Sequence, residues 1–143
     1  MMGVRVKIKV NMLNKEIETI ALANSGFETD TPQLLVPKNF LVLNEINLDN
    51  LGKPVIMEYD TAGGSIAMYV YPRSCRVRVV EPDTVSREVI VDLVISPIER
   101  EVVMSDALIE ELGIILLSPR KGLWRFVNDP VDKIRESYKP TYW

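Results

Sequence analysis

Residues 4–10 alternate without a break: Val4, Val6, Ile8 and Val10 fall on one side of a period of two, and Arg5, Lys7 and Lys9 on the other. That is the pattern of a half-buried strand with its cations on the solvated face. A turn over 11–14 and a returning strand over 15–23 make an N-terminal hairpin. The returning strand runs straight into Asn24-Ser25-Gly26. This triplet predicts a tight turn, because glycine takes positive φ freely and asparagine tolerates it. Residues 31–37 are apolar and bracketed by Pro32 and Pro37, which predicts an edge strand or a short span. A short helix is predicted over 38–48, with Phe40, Leu41, Leu43 and Ile46 on its apolar side.

The run 55–71 has a different character. Two strand-like stretches flank Thr61-Ala62-Gly63-Gly64-Ser65, which reads as a mobile hairpin tip. A second hairpin joins 73–81 to 88–96 through Pro82-Asp83-Thr84, and Val77, Val79, Val89, Val91 and Leu93 supply its core face. Val102-Val103-Met104 is a short apolar strand that feeds a helix, with Ser105 as N-cap and Gly113 just past the end. Leu108, Ile109 and Leu112 make the apolar face of that helix, opposite Glu110 and Glu111. Residues 114–117 and 123–127 form a last hairpin, and a helix is predicted over 132–138 in the segment that follows.

A length of 143 residues accommodates one domain with a real core. Net charge is -3, so there is no general basic field and no nucleic-acid partner is expected. The chain has no histidine, which removes Ser-His-Asp triads, Cys-His pairs and histidine-ligated zinc. Acid–base work at neutral pH would fall to carboxylates, lysine, tyrosine or water. Cys75 is the single cysteine, so no intrachain disulfide forms and a reducing compartment is expected. Arg76 and Arg78 flank it, but a semi-buried strand residue is the simpler reading. The first ten residues lack the apolar run of a signal peptide, and no later stretch is long enough to span a bilayer. A cytoplasmic protein with no membrane contact, no cofactor and no metal site is the expectation.

Three features follow one another in order. Ile20-Ala21-Leu22-Ala23 delivers Asn24-Ser25-Gly26, the tip Thr61-Ala62-Gly63-Gly64 comes about 35 residues later, and 102–113 runs from an apolar strand into a helix closed by Leu112-Gly113. This succession resembles the retropepsin-like aspartic protease family over roughly residues 4–127. The resemblance implies a mainly β chain: a closed β-barrel or sandwich with one short helix in the C-terminal half. It also implies a domain over 1–127, a C-terminal tail over 128–143, and a homodimer around a cleft for a polypeptide. Asn24 would stand at the catalytic position, Ser25 would bridge the protomers, and Gly26 would let the backbones approach. Thr61, Ala62, Gly63 and Gly64 would clamp an extended peptide by strand addition.

Two departures bear on activity. Ser105 replaces a glycine usual in the third motif, tolerable where only a small residue is needed. Asn24 replaces the catalytic aspartate. The family chemistry shares a proton between two carboxylates around an attacking water, and an amide has no proton to exchange in that range. The chain as written is therefore expected to be catalytically impaired, either a natural pseudo-protease or an inactivated endopeptidase. The acidic stretch Phe27-Glu28-Thr29-Asp30 tilts this toward natural loss. Glu28 or Asp30 would supply a replacement carboxylate or bind a cation; a solvated loop with Asp30 capping a turn is the preferred reading. The alternative to the whole scheme is a binding or dimerisation β-barrel unrelated to proteolysis, in which 24–26 is only a turn.

Overall fold

In the computed structural model, which describes residues 3–143, strand β1 (Val4–Met12) buries Val4, Val6, Ile8 and Val10 as their alternation predicts. It pairs along its length with β2 (Lys15–Ala23). The two-residue loop between them, Leu13-Asn14, has φ of 49° and 62°, the left-handed geometry that matches the twist of a tight hairpin. On its other edge β1 pairs with β5 (Gly64–Val79) from Ile8 to Asn11. That second pairing closes the sheet. The remaining barrel strands are β3 (Gln33–Pro37), β6 (Val89–Ser96) and β7 (Val102–Met104). The order around the barrel is β1-β2-β7-β3-β6-β5, returning to β1. Strand β4 (Val55–Thr61) pairs with β5 alone and projects from the barrel as one arm of a hairpin.

The prolines do not confine β3 to an edge. It lies between β6, parallel, and β7, antiparallel. Pro32 precedes the strand and contributes only its carbonyl, which accepts from Asp92 N at 3.0 Å. Pro37 ends it, with φ −62° as the N-cap of α1 (Lys38–Leu43). Neither proline removes a donor that the ladder needs. Leu34 and Val36 face the barrel interior while Leu35 joins a second apolar cluster on the outer face. Burial on both faces is why this strand reads as a continuous apolar run.

Helix α1 stops earlier than its pattern predicts. Glu45 takes φ 56°, and Glu45 N and Ile46 N donate to the carbonyls of Val42 and Leu41. These two bonds make a Schellman stop with a non-glycine at its left-handed position. Phe40 and Leu41 are buried, but Leu43 is 66% exposed rather than on the packed side. Strand β5 also corrects the expectation of two separate hairpins. It is one 16-residue strand with a bulge between Tyr71 and Cys75, where Arg73 has φ 48°.

Helix α2 (Asp106–Glu111) starts at Ser105 and ends at Gly113, whose φ is 74°. Strands β8 (Ile114–Ser118) and β9 (Leu123–Phe126) follow. Residues 132–138 form no helix; β10 (Arg135–Glu136) pairs with β9 instead. The Arg135 guanidinium decides this. It bonds the carboxylates of Asp83 and Asp129 at 2.8–2.9 Å and lies over the rings of Trp124 and Phe126. Tyr138 N then donates to Arg5 O, and Trp143 packs edge-on against Phe40 at 5.1 Å. No helix among the described residues is long and apolar enough to cross a membrane.

Candidate functional site

Strands β2 and β7 run parallel and end together, with Ala23 beside Met104. The chain leaves β2 into the 24–26 turn at this point, and leaves β7 into α2. Asn24 N donates to Met104 O at 3.3 Å, which ties the turn to the end of β7. The Asn24 side chain folds back on its own loop: Oδ1 accepts from Gly26 N at 3.0 Å, while Phe27 N donates to Asn24 O at 3.0 Å. Neither Asn24 nor Gly26 is in the left-handed region, so positive φ is not what the turn takes from this glycine. A Cβ at Gly26 would sit 3.2 Å from Asn24 Oδ1. The glycine is there for close approach of the amide oxygen.

Ser105 and Asp106 hold the other side. Ser105 is fully buried, and its Oγ accepts from Leu108 N at 3.3 Å and from Gln33 N at 3.0 Å. One hydroxyl caps α2 and fastens it to β3. Asp106 N donates to Phe27 O, and Asp106 Oδ1 accepts from Thr29 N at 2.9 Å and Ala107 N at 2.7 Å. The loop after Asn24 is thus clamped by the first residue of the helix. Sequence reasoning passed over Asp106, although an acidic residue directly after a serine cap was the signal for it.

The β4–β5 hairpin covers this region. At its tip Thr61 pairs with Gly64, which takes φ 111°; Thr61 Oγ1 donates to Gly64 O and accepts from Gly63 N. Ile66, Met68 and Val70 of β5 point toward the barrel and join Leu35, Val94 and Val103 in the second apolar cluster. On β4, Tyr59 reaches the same cluster. Its ring meets Phe27 edge-on at 6.0 Å, and its hydroxyl donates to Gln33 Oε1 at 2.8 Å. Burial raises the Tyr59 pKa above the ordinary phenol value, so the hydroxyl keeps its proton and donates. The polar chain continues from Gln33 Nε2 to Thr31 Oγ1, and from the Thr31 hydroxyl to Asp92 Oδ2 at 2.6 Å. Asp92 Oδ1 accepts from Arg73 N in the β5 bulge. Gln33, the one polar residue in its strand, carried no signal of this role.

Between hairpin and turn lies a groove of about 1200 Å³. Asn24 and Gly26 line it from below, and Thr61 and Ala62 from the hairpin tip. Leu22, Leu35, Met68 and Val103 contribute apolar surface. Glu28 and Asp30 also line it, with side chains exposed on the loop. Ser25 does not belong to this groove. It borders a smaller apolar hollow of about 250 Å³ with Ile109, Ile114 and Ile115. Gly63 and Gly64 line neither space. Among the described residues, no group of three or more Cys, Asp or Glu is arranged to hold a metal ion. No known protein-family model matches the chain, and no curated protein matches it significantly.

At Asn24 itself the chemistry is hydrogen bonding, because an amide has no proton to exchange near neutral pH. The Asn24 oxygen is already engaged by Gly26 N, which leaves the Nδ2 donors for a ligand or water. The free edge of β4, the apolar floor and these donors suit an extended chain.

Proposed function

We propose that the chain is one lobe of a retropepsin-like, homodimeric peptide-binding cleft in which Asn24 stands where the family has its catalytic aspartate. One observation carries the reading. The strand that ends in Asn24-Ser25-Gly26 lies beside the strand that enters the capped helix, bonded from Asn24 N to Met104 O, with a glycine-tipped hairpin over both. Three stretches far apart in sequence meet around one groove, which supports the resemblance. The apolar hollow between Ser25 and Ile109, Ile114 and Ile115 adds support for a second copy at the turn. A C2 partner would bring its own Asn24 turn to the same axis.

In this reading the groove binds an extended polypeptide without cleaving it. Two facing asparagines hold a water by hydrogen bonds but have no base to activate it. Replacing Asn24 by aspartate tests the scheme, because a carboxylate oxygen also accepts from Gly26 N and keeps the turn. Peptide hydrolysis between about pH 3 and 7, in Asn24→Asp and not in the parent, is the expected result. A folded Asn24→Asp dimer with no cleavage at any pH would refute the protease scaffold. Sedimentation of the parent as a monomer would refute the two-lobed cleft.

A further inference from the structure

We propose that the occupant of the groove is a basic polypeptide, an extended segment carrying lysine or arginine side chains. This rests on the peptide-cleft reading above and adds the substrate class. Every charged residue lining the groove is acidic: Glu28 and Asp30 on the loop after the turn, Glu58 and Asp60 on β4, and Asp92, Glu99 and Asp106 on the barrel side. Glu58 and Asp60 alternate with Tyr59, so their side chains leave β4 on the face opposite the packed ring, and the two residues only border the groove. Seven carboxylates line or border a groove on a chain whose net charge is only -3, so the remaining surface is net positive.

Asp92 and Asp106 are occupied by internal hydrogen bonds. Glu28, Asp30, Glu58, Asp60 and Glu99 have no ion-pair partner among the described residues. Outside the groove the carboxylates are mixed: Glu16 is matched by Lys9 and Arg78, Glu101 by Arg5, and Asp83 and Asp129 by Arg135. Glu18, Glu45, Asp49, Glu110, Asp132 and Glu136 stand without an ion pair among the described residues but are not gathered in one groove. Like charges gathered along a concave surface without counter-charge repel one another, and a bound cation relieves that repulsion.

The form of the occupant follows from how the charge is spread. The carboxylates are distributed from loop to lip, and nowhere do three converge as metal ligands. An extended polycation meets that pattern; a single point ion does not. The apolar floor of Leu22, Leu35, Met68 and Val103 accommodates the aliphatic stems of lysine and arginine while their heads reach the acidic rim.

The test uses three dye-labelled peptides of equal length in which valine alternates with lysine, glutamine or glutamate, with binding read by fluorescence anisotropy. The lysine peptide is expected to bind at least about tenfold tighter than the glutamine peptide in low salt, with the difference shrinking toward about 0.5 M salt. Glu28→Lys with Asp30→Lys should abolish the preference. Glu18→Lys with Asp132→Lys, the same change in net charge on exposed positions outside the groove, should preserve it. Melting curves of both pairs control for folding, and Glu28→Gln with Asp30→Gln serves if the lysine pair unfolds. Glutamine or glutamate peptides binding as tightly as lysine would overturn the basic class and leave the peptide cleft standing. So would equal losses in the groove and control pairs. Binding of no peptide at all would remove the cleft reading and this inference together.

Discussion

Tyr59 is bonded to Gln33, hydroxyl to amide oxygen at 2.8 Å, across the space between a projecting hairpin and the central strand of the barrel. The other positions of β4 are exposed, and its ladder partner is β5 alone. Tyr59 therefore anchors the outer arm of the hairpin to the barrel, with Phe27 of the Asn24 loop packed on its ring. Because Phe27 is itself bonded to Asn24 O and Asp106 N, the hairpin, the turn and the helix share one contact point.

Tyr59→Phe removes the hydroxyl and keeps the ring. The expected cost to the hairpin is about 1 kcal/mol, the usual net worth of one such bond. Amide exchange across residues 57–68 should quicken by roughly fivefold, while β1 amides stay protected. Unchanged exchange in the hairpin would mean that Phe27 packing, and not the bond to Gln33, holds it down.

Ser105 is more than a small residue. Its Oγ accepts from both Leu108 N and Gln33 N in a fully buried position. Ser105→Ala removes a helix cap and leaves a buried strand donor unmet, an expected loss of about 2–3 kcal/mol in urea unfolding. Ser105→Gly should cost less than Ser105→Ala, because glycine is a tolerable cap, but it still leaves Gln33 N unmet and should lose about 1–2 kcal/mol. A loss below about 0.5 kcal/mol for either would refute the double role.

The barrel was legible wherever alternation survives in one strand. The β1 pattern, the Leu13-Asn14 turn and the Ser105-to-Gly113 helix needed only local chemistry. What depended on distant partners was not legible. The central place of β3 comes from pairing with β6 and β7, residues far along the chain, and its prolines suggested the opposite. The strand at Arg135 comes from Asp83, some 50 residues away, against a local pattern that reads as helix. The candidate site divides the same way. Asn24, Gly26, Thr61 and Ala62, which stand out in the sequence as turn and hairpin-tip residues, line the groove, whereas Gln33, Tyr59 and Asp106 act through bonds that no spacing reveals.

Cys75 lies in the barrel core at 2% exposure, more deeply than a semi-buried strand residue. Burial pushes its thiol up to about 11 from 9.0, against a weaker opposing hydrogen bond with Ser74. The neighbouring Arg76 and Arg78 project to the other face, where they approach Glu88. Thiolate at neutral pH is thus roughly a hundredfold scarcer than in an ordinary thiol. Alkylation should be undetectable in the native protein and complete in urea, with a native rate that follows global unfolding. Fast labelling without denaturant would show that β5 opens locally at its bulge.

The Arg135 cluster sets how the fold responds to acid. Hydrogen bonding to Arg135 is the main cause that lowers Asp83 to about 2 from 3.8, and the same guanidinium lowers Asp129. A carboxylate held below its unfolded value stabilises the fold above that unfolded value, and the contribution fades as pH falls toward the folded one. Stability should therefore hold from neutral pH to about 4 and decline between about 4 and 2. The solvent-exposed Asp83 contributes less to that decline than its shift alone suggests. Arg135→Met keeps the side-chain bulk over Trp124 and Phe126 but removes the charge. That variant should be less stable at pH 7 and should lose little further stability between about 4 and 2. Melting temperatures across this range check it, and an acid decline of the same depth in Arg135→Met would place the acid sensitivity elsewhere in the fold.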